Sequence, residues 1–274
     1  MRFFGGEDGP PVRFWNHDLL TLQIGGSFLK VGPCWRDSHL PYPKTAVILS
    51  GGAGVRLRPL TNDIPKGLVR VAGKPLLQWV VEWLHQNGVS DLIVGVAYLK
   101  EKIMRYFGDG SRFGVRIRYS VHSVEGGTGE GFRLAISRFV EDDSFFAING
   151  DQMTNLNLRS MFRTHQKSQG VATIGVVHPR LPFGLVLTDE AGYCKGFEEK
   201  PILPDVLCSA GIYVFQKEML KFLPKTGDIE KISFPRLAKE KRLRVYEHRG
   251  SFLTVNSLRE LEEADKELKR RKKS

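Results

Sequence analysis

Ala46-Val47-Ile48-Leu49-Ser50-Gly51-Gly52-Ala53-Gly54-Val55-Arg56-Leu57-Arg58-Pro59-Leu60-Thr61, followed by Pro65-Lys66, is the stretch on which the reading of this chain turns. Four apolar residues in a row read as a buried strand. The run ends in a glycine-rich turn, where backbone N–H groups can approach an anion without a Cβ in the way. Two cations, Arg56 and Lys66, follow closely and supply charge that peptide dipoles cannot cover alone. The turn is not a dinucleotide fingerprint, because Arg56 and Pro59 stand where a helix would enter. Nor is it a P-loop, since no Lys-Ser or Lys-Thr pair closes it. A site for a polyphosphate is the expectation, with Leu49, Ser50, Gly51, Gly52, Gly54 and Val55 lining it.

Outward from this turn, strand and helix patterns alternate. Strands are expected over 46–49, 91–97, 115–121, 145–149, 172–177 and 210–215. Helices are expected over 75–85, 101–107, 128–139 and 158–165, another over 229–239 interrupted by Pro235, and a last one from Ser257. In the helix over 75–85, Leu76, Leu77, Val80, Val81 and Leu84 share one face. Ser257 and Glu260 have capping-box spacing. The segment from Phe183 to Pro201 reads as a β-rich excursion. This order predicts an α/β, Rossmann-like mixed sheet, mostly parallel and flanked by helices. Residues 1–43 lack a helical or strand period and read as a loosely ordered extension or small appendage. Residues 44–274 read as the main domain.

Ligands of such sheets bind at the carboxyl ends of strands. Asn149-Gly150-Asp151 follows a buried strand directly, so Asp151 falls on the same edge as the glycine turn. A carboxylate there either holds a hard cation such as Mg²⁺ or caps the following turn. Glu199-Lys200 in Phe197-Glu198-Glu199-Lys200-Pro201 offers an acceptor for sugar hydroxyls and an ammonium for a phosphate; taken alone, such a pair is solvated charge. Gly127-Thr128-Gly129-Glu130-Gly131 resembles the GTxGA segment with which sugar nucleotidylyltransferases line the base pocket; that resemblance implies that Glu130, in place of a small residue, either accepts N–H groups of a base or points to solvent.

Together these segments resemble the sugar-1-phosphate nucleotidylyltransferases, whose opening motif runs GGxGTRLxPLT and then PK. The resemblance extends from about Thr45 to Leu268. It departs at Val55, where the family has Thr, and at Thr254, where the family has a second metal-binding Asp. It implies catalysis by Arg56, Lys66 and Asp151, with Mg²⁺ on Asp151 and base contacts from Gly127 and Thr128. Phe183-Gly184 resembles the family's aromatic-Gly pair, and Ser209-Ala210-Gly211 its NAG. The resemblance therefore adds Gly184, Glu199, Lys200 and Gly211 as contacts to the sugar phosphate. The implied substrates are an NTP and a sugar 1-phosphate. Asp228-Ile229-Glu230-Lys231, ahead of Phe234-Pro235, is similar to a stretch common in mannose-1-phosphate guanylyltransferases and inclines the reading toward GTP and a hexose. Kept beside it are a dTTP- or UTP-specific glucose-1-phosphate enzyme and a non-catalytic homologue that binds nucleotide-sugar.

The 274 residues are 41% hydrophobic and 26% charged, an ordinary soluble composition, and contain no run of eighteen apolar residues. Cys34, Cys194 and Cys208 are far apart and lack metal-ligand spacing. Free thiols and a cytoplasmic setting are expected. Net charge is +11, much of it in Lys269-Arg270-Arg271-Lys272-Lys273. No aromatic residue is interleaved there for base stacking, so the tail reads as a helix-end cation cluster rather than a nucleic-acid site. A homo-oligomer is compatible with the sequence, and no membrane span is expected.

Overall fold

The computed structural model describes residues 20–24, 27–31 and 41–271. The strands are β1 Leu20–Ile24, β2 Ser27–Val31, β3 Thr45–Leu49, β4 Arg70–Val71, β5 Lys74–Pro75, β6 Asp91–Val96, β7 Arg116–Val121, β8 Ser144–Asn149, β9 Gln152–Thr154, β10 Ala172–Val177, β11 Leu185–Thr188, β12 Cys194–Glu198, β13 Cys208–Gln216, β14 Leu243–Glu247 and β15 Phe252–Thr254. The helices are α1 Leu76–Gln86, α2 Lys100–Phe107, α3 Gly127–Phe139, α4 Leu158–Gln166, α5 Ser233–Lys239 and α6 Leu258–Arg271.

The described residues fall into two units, divided between Leu40 and Pro41. In the first, β1 and β2 pair antiparallel, with Ile24 opposite Ser27. This corrects the reading of residues 1–43 as lacking a strand period. The rest of that predicted extension lies outside the described residues, as do Cys34 and residues 272–274 of the basic tail.

The second unit is built on a seven-stranded sheet of order β14-β10-β13-β8-β3-β6-β7. β3 runs parallel to β6 and β8, β6 to β7, and β10 to β14. Only β13 runs against its neighbours β8 and β10. The expected mixed, mostly parallel sheet is therefore present. One apolar layer joins α1, α2 and α4 to one sheet face, and another joins α3 and α5 to the opposite face. α1 shows why packing sets these helices. Leu76, Leu77, Val80, Val81 and Leu84 are at most 1% exposed. Burial of each contributes roughly 1.5–3 kcal/mol, whereas two valines in a helix cost only about 0.7 kcal/mol apiece.

Three local differences have clear causes. α5 begins at Ser233 rather than 229, so Pro235 lies in the first turn, where a missing N–H breaks no intrahelical bond. Ser257 Oγ accepts from Glu260 N at 3.2 Å, but the Glu260 carboxylate reaches back to Asn256 N, at 2.8 Å. The expected capping box is thus formed one residue out of step. The excursion is the β11–β12 hairpin, an arm on which Phe183, Tyr193 and Phe197 are exposed.

Candidate active site

β3 and β8 end side by side in parallel, Leu49 opposite Asn149. The segments leaving them turn into a cleft of about 460 Å³. Leu49, Ser50, Gly51, Gly52, Gly54, Val55 and Arg56 form one wall; Lys66, Gly127, Thr128, Asp151 and Asn256 line the rest. The three residues read as catalytic and the eight read as nucleotide contacts thus share one cleft.

The glycine turn is held by its own sequence. Gly54 has φ 61°, and Thr61 Oγ1 donates to its carbonyl at 2.8 Å. Thr61 is fully buried, so the final Thr of the opening motif is a structural anchor. A Cβ on Gly51 would stand 2.5 Å from the His122 ring. His122 also lines the cleft, and nothing in the sequence marked it. At the start of α3, the Thr128 hydroxyl donates to Glu230 Oε2 at 2.8 Å and accepts from Ile229 N at 2.9 Å. The Asp228–Lys231 segment is therefore bonded directly to one wall of the cleft.

The charged centre joins remote parts of the chain. Lys66 Nζ donates to Asp151 Oδ2 at 2.5 Å and to Asn256 Oδ1 at 2.9 Å, while Arg56 Nη2 donates to the same Asn256 oxygen at 3.2 Å. Strand pairing explains the meeting. β15 runs antiparallel to β9 with Thr254 opposite Gln152, so the chain leaving β15 passes Asp151. Asn256 escaped the sequence reading: Thr254, two residues before it, turns instead to Glu260, so no strand period leads from one to the other.

The other residues singled out in the sequence make contacts of their own. Thr254 does not line the cleft; its hydroxyl donates to Glu260 Oε2 at 3.2 Å. Glu130 neither faces the cleft nor points free to solvent. It accepts from the Oγ and N of Ser123 at 2.7 and 2.9 Å, which holds its carboxyl below the usual range. Gly184 makes room for a ring of its own arm, since a Cβ there would lie 2.4 Å from Phe197. Glu199 and Lys200 lie outside the cleft wall and pair with each other at 3.8 Å. Gly211, with φ 65°, packs against the amides of Gln152 and Asn149, and Asn149 lines the cleft.

Among the described residues no group of three or more His, Cys, Asp or Glu side chains is arranged for a metal. Asp151 offers one carboxylate and Asn256 one amide oxygen. Mg²⁺ is commonly held by one or two protein oxygens, with phosphates and waters completing the octahedron, so this donor set fits it.

A family model described as nucleotidyl transferase matches residues 45–252, and the match includes the glycine turn, Lys66 and Asp151. The chain belongs to the sugar-1-phosphate nucleotidylyltransferase family. Within this family it is 33% identical over 213 residues to a UTP–glucose-1-phosphate uridylyltransferase of Synechocystis, covering 70% of this chain and 54% of that one. It is 31% identical to a Bacillus subtilis protein named as a glucose-1-phosphate cytidylyltransferase, over 81% of this chain and 94% of the relative. A Mycobacterium tuberculosis mannose-1-phosphate guanylyltransferase is 31% identical, with 73% and 57% covered. The chain thus spans a little over half the length of two of these three relatives. Among solved structures, HddC from Yersinia pseudotuberculosis superposes with a TM-score of 0.65 at 21% identity, over 82% of this chain and 99% of that one, a likeness of fold. Among the described residues no helix is long and apolar enough to cross a membrane. Asn256 lies past the residues matched by the family model.

Proposed function

We propose that this protein transfers a nucleotidyl group from an NTP to a sugar 1-phosphate, releasing pyrophosphate. The observation that carries the reading is the convergence of Arg56, Lys66 and Asp151 on one cleft beside the glycine turn. In the reaction, a phosphate oxygen of the sugar phosphate attacks the α-phosphorus in line. The bond from that phosphorus to the bridging oxygen breaks, and pyrophosphate leaves with the electron pair. The nucleophile is already an anion, so no side chain has to remove a proton. Alignment and charge neutralisation then supply the acceleration. Arg56 steadies the β- and γ-phosphates and the departing pyrophosphate. Lys66 exchanges its contact with Asp151 for the α-phosphate and the incoming phosphate. A bound Mg²⁺ would neutralise phosphate charge, with Asp151 as its protein carboxylate. Glu199, Lys200, Gly184 and Gly211 are assigned to the sugar phosphate, which requires the β11–β12 arm to approach the cleft.

The finer reading is GTP with a hexose such as mannose 1-phosphate. Two observations support it: the bonding of the Asp228–Lys231 segment to Thr128, and the mycobacterial relative. The test is pyrophosphate release with Mg²⁺ across GTP, UTP, CTP and dTTP, each against mannose, glucose and galactose 1-phosphates. GTP with mannose 1-phosphate should be turned over fastest. Preference for another pair would move the assignment within the class. Nucleotide-sugar binding without pyrophosphate release from any pair would favour a non-catalytic homologue.

A further inference from the structure

Lys66 Nζ marks a point that a cation already occupies. Two oxygens converge on it, Asp151 Oδ2 at 2.5 Å and Asn256 Oδ1 at 2.9 Å. Both are hard donors, and both line the open cleft. Thr254, the position at which a second carboxylate was expected, is turned toward Glu260. Glu260 in turn accepts from Asn256 N at 2.8 Å, which fixes the backbone from which the amide projects.

We propose that Asn256 and Asp151 together form the seat of the divalent cation, and that the cation enters with the triphosphate because Asn256 brings no charge. This deepens the function proposed above and rests on its assignment of a metal to Asp151. Among the described residues that line the cleft, Arg56, Lys66 and Asp151 leave one net positive charge, Asp151 is already paired with an ammonium, and Glu260 stands behind Asn256, bonded to its N–H and to the Thr254 hydroxyl. A free divalent ion meets repulsion there. The same ion carried on a triphosphate arrives as part of an anion, and the phosphates draw Lys66 and Arg56 off the two oxygens. Ligand charge count is what tunes the affinity of such oxygen sites. A carboxylate at 256 would remove the net charge and let the bare ion bind, whereas one at 254 would face Glu260.

The experiment uses the full chain and Mn²⁺, read by water-proton relaxation and free-ion electron paramagnetic resonance, with and without each of the four NTPs. Wild type should hold Mn²⁺ only when a nucleotide is present. Asn256→Asp should bind Mn²⁺ alone at least about tenfold more tightly than wild type, and adding Asp151→Asn should abolish the gain. Thr254→Asp should behave as wild type. Asn256→Ala, which adds no charge and keeps the fold testable by a second route, should weaken the ternary complex about tenfold. A gain for Thr254→Asp equal to or above that for Asn256→Asp would overturn the assignment, as would tight binding of Mn²⁺ alone by wild type or an unaltered ternary complex in Asn256→Ala. Absence of any ternary complex with every nucleotide would instead remove the metal from Asp151, a failure of the underlying reading that the two single variants tell apart.

Discussion

Lys66 is one ammonium shared by a carboxylate and an amide at the base of the cleft. A preorganised cation at the reacting phosphorus is worth roughly 10²–10³ in turnover. Lys66→Ala should lower kcat by that factor while leaving the melting temperature within a few degrees, and a loss under about threefold in a steady-state assay would take Lys66 out of the reaction. A second residue acts on stability instead. His165 is buried, with Nδ1 2.9 Å from Thr173 Oγ1, and burial pushes it down from 6.5 to about 4. Its folded pKa lies below the unfolded one, so the unfolded chain binds the extra proton first. Stability is therefore complete above pH 6.5 and falls as pH drops toward 4, by about 1.4 kcal/mol per pH unit. Urea midpoints at pH 7 and pH 5 should show this loss in wild type, and the loss should shrink in His165→Leu.

The β15–α6 corner brings the far end of the chain to the cleft. Ser257 Oγ and the Glu260 carboxylate satisfy N–H groups there, and losing a cap of this kind costs about 1 kcal/mol. Glu260→Ala should lower the unfolding free energy by that amount and also raise the KM for nucleotide, because Asn256 loses its backbone anchor; Glu260→Gln should restore much of both. Much of the molecule was legible at this scale. Buried strands with glycine or Asn-Gly-Asp endings and one-faced helices announced β3, α1, β8 and α4. The rest was not, for physical reasons. Asn256 works through a cross-strand register set by β9, which begins at Gln152, far from it in the chain, and local pattern does not encode that. Glu130 stood in a suggestive motif, yet Ser123 was a nearer partner. Gly184 also has a local reason to be glycine, the Phe197 ring against it, and local pattern did not announce that contact.

At the level of the whole molecule, charge is arranged unevenly. The cations at the end of α6 are answered by their own helix: Lys269 pairs with Asp265 at 2.5 Å, and Arg270 and Arg271 with Glu267 at 3.0 and 2.8 Å. At the cleft, Lys66 pairs with Asp151, while Arg56 donates to the neutral amide oxygen of Asn256. Electrostatic capture of anionic substrates should therefore depend on the cleft and not on the tail. Replacing residues 269–273 by Gln should leave kcat/KM for the nucleotide within about twofold at low salt. Arg56→Gln should cut it and flatten its dependence on ionic strength, as measured by initial rates between 20 and about 300 mM salt.

Lys66 and Asn256 are 190 positions apart, and Asn256 follows the whole central sheet in the chain. A chain emerging from the ribosome therefore carries the glycine turn and Asp151 long before it carries the oxygen that completes the charged centre. Until β15 pairs with β9 and brings Asn256 in, Lys66 has one neighbour fewer to hold it. Nascent or proteolytically clipped forms that end before Asn256 should lack that oxygen and remain silent.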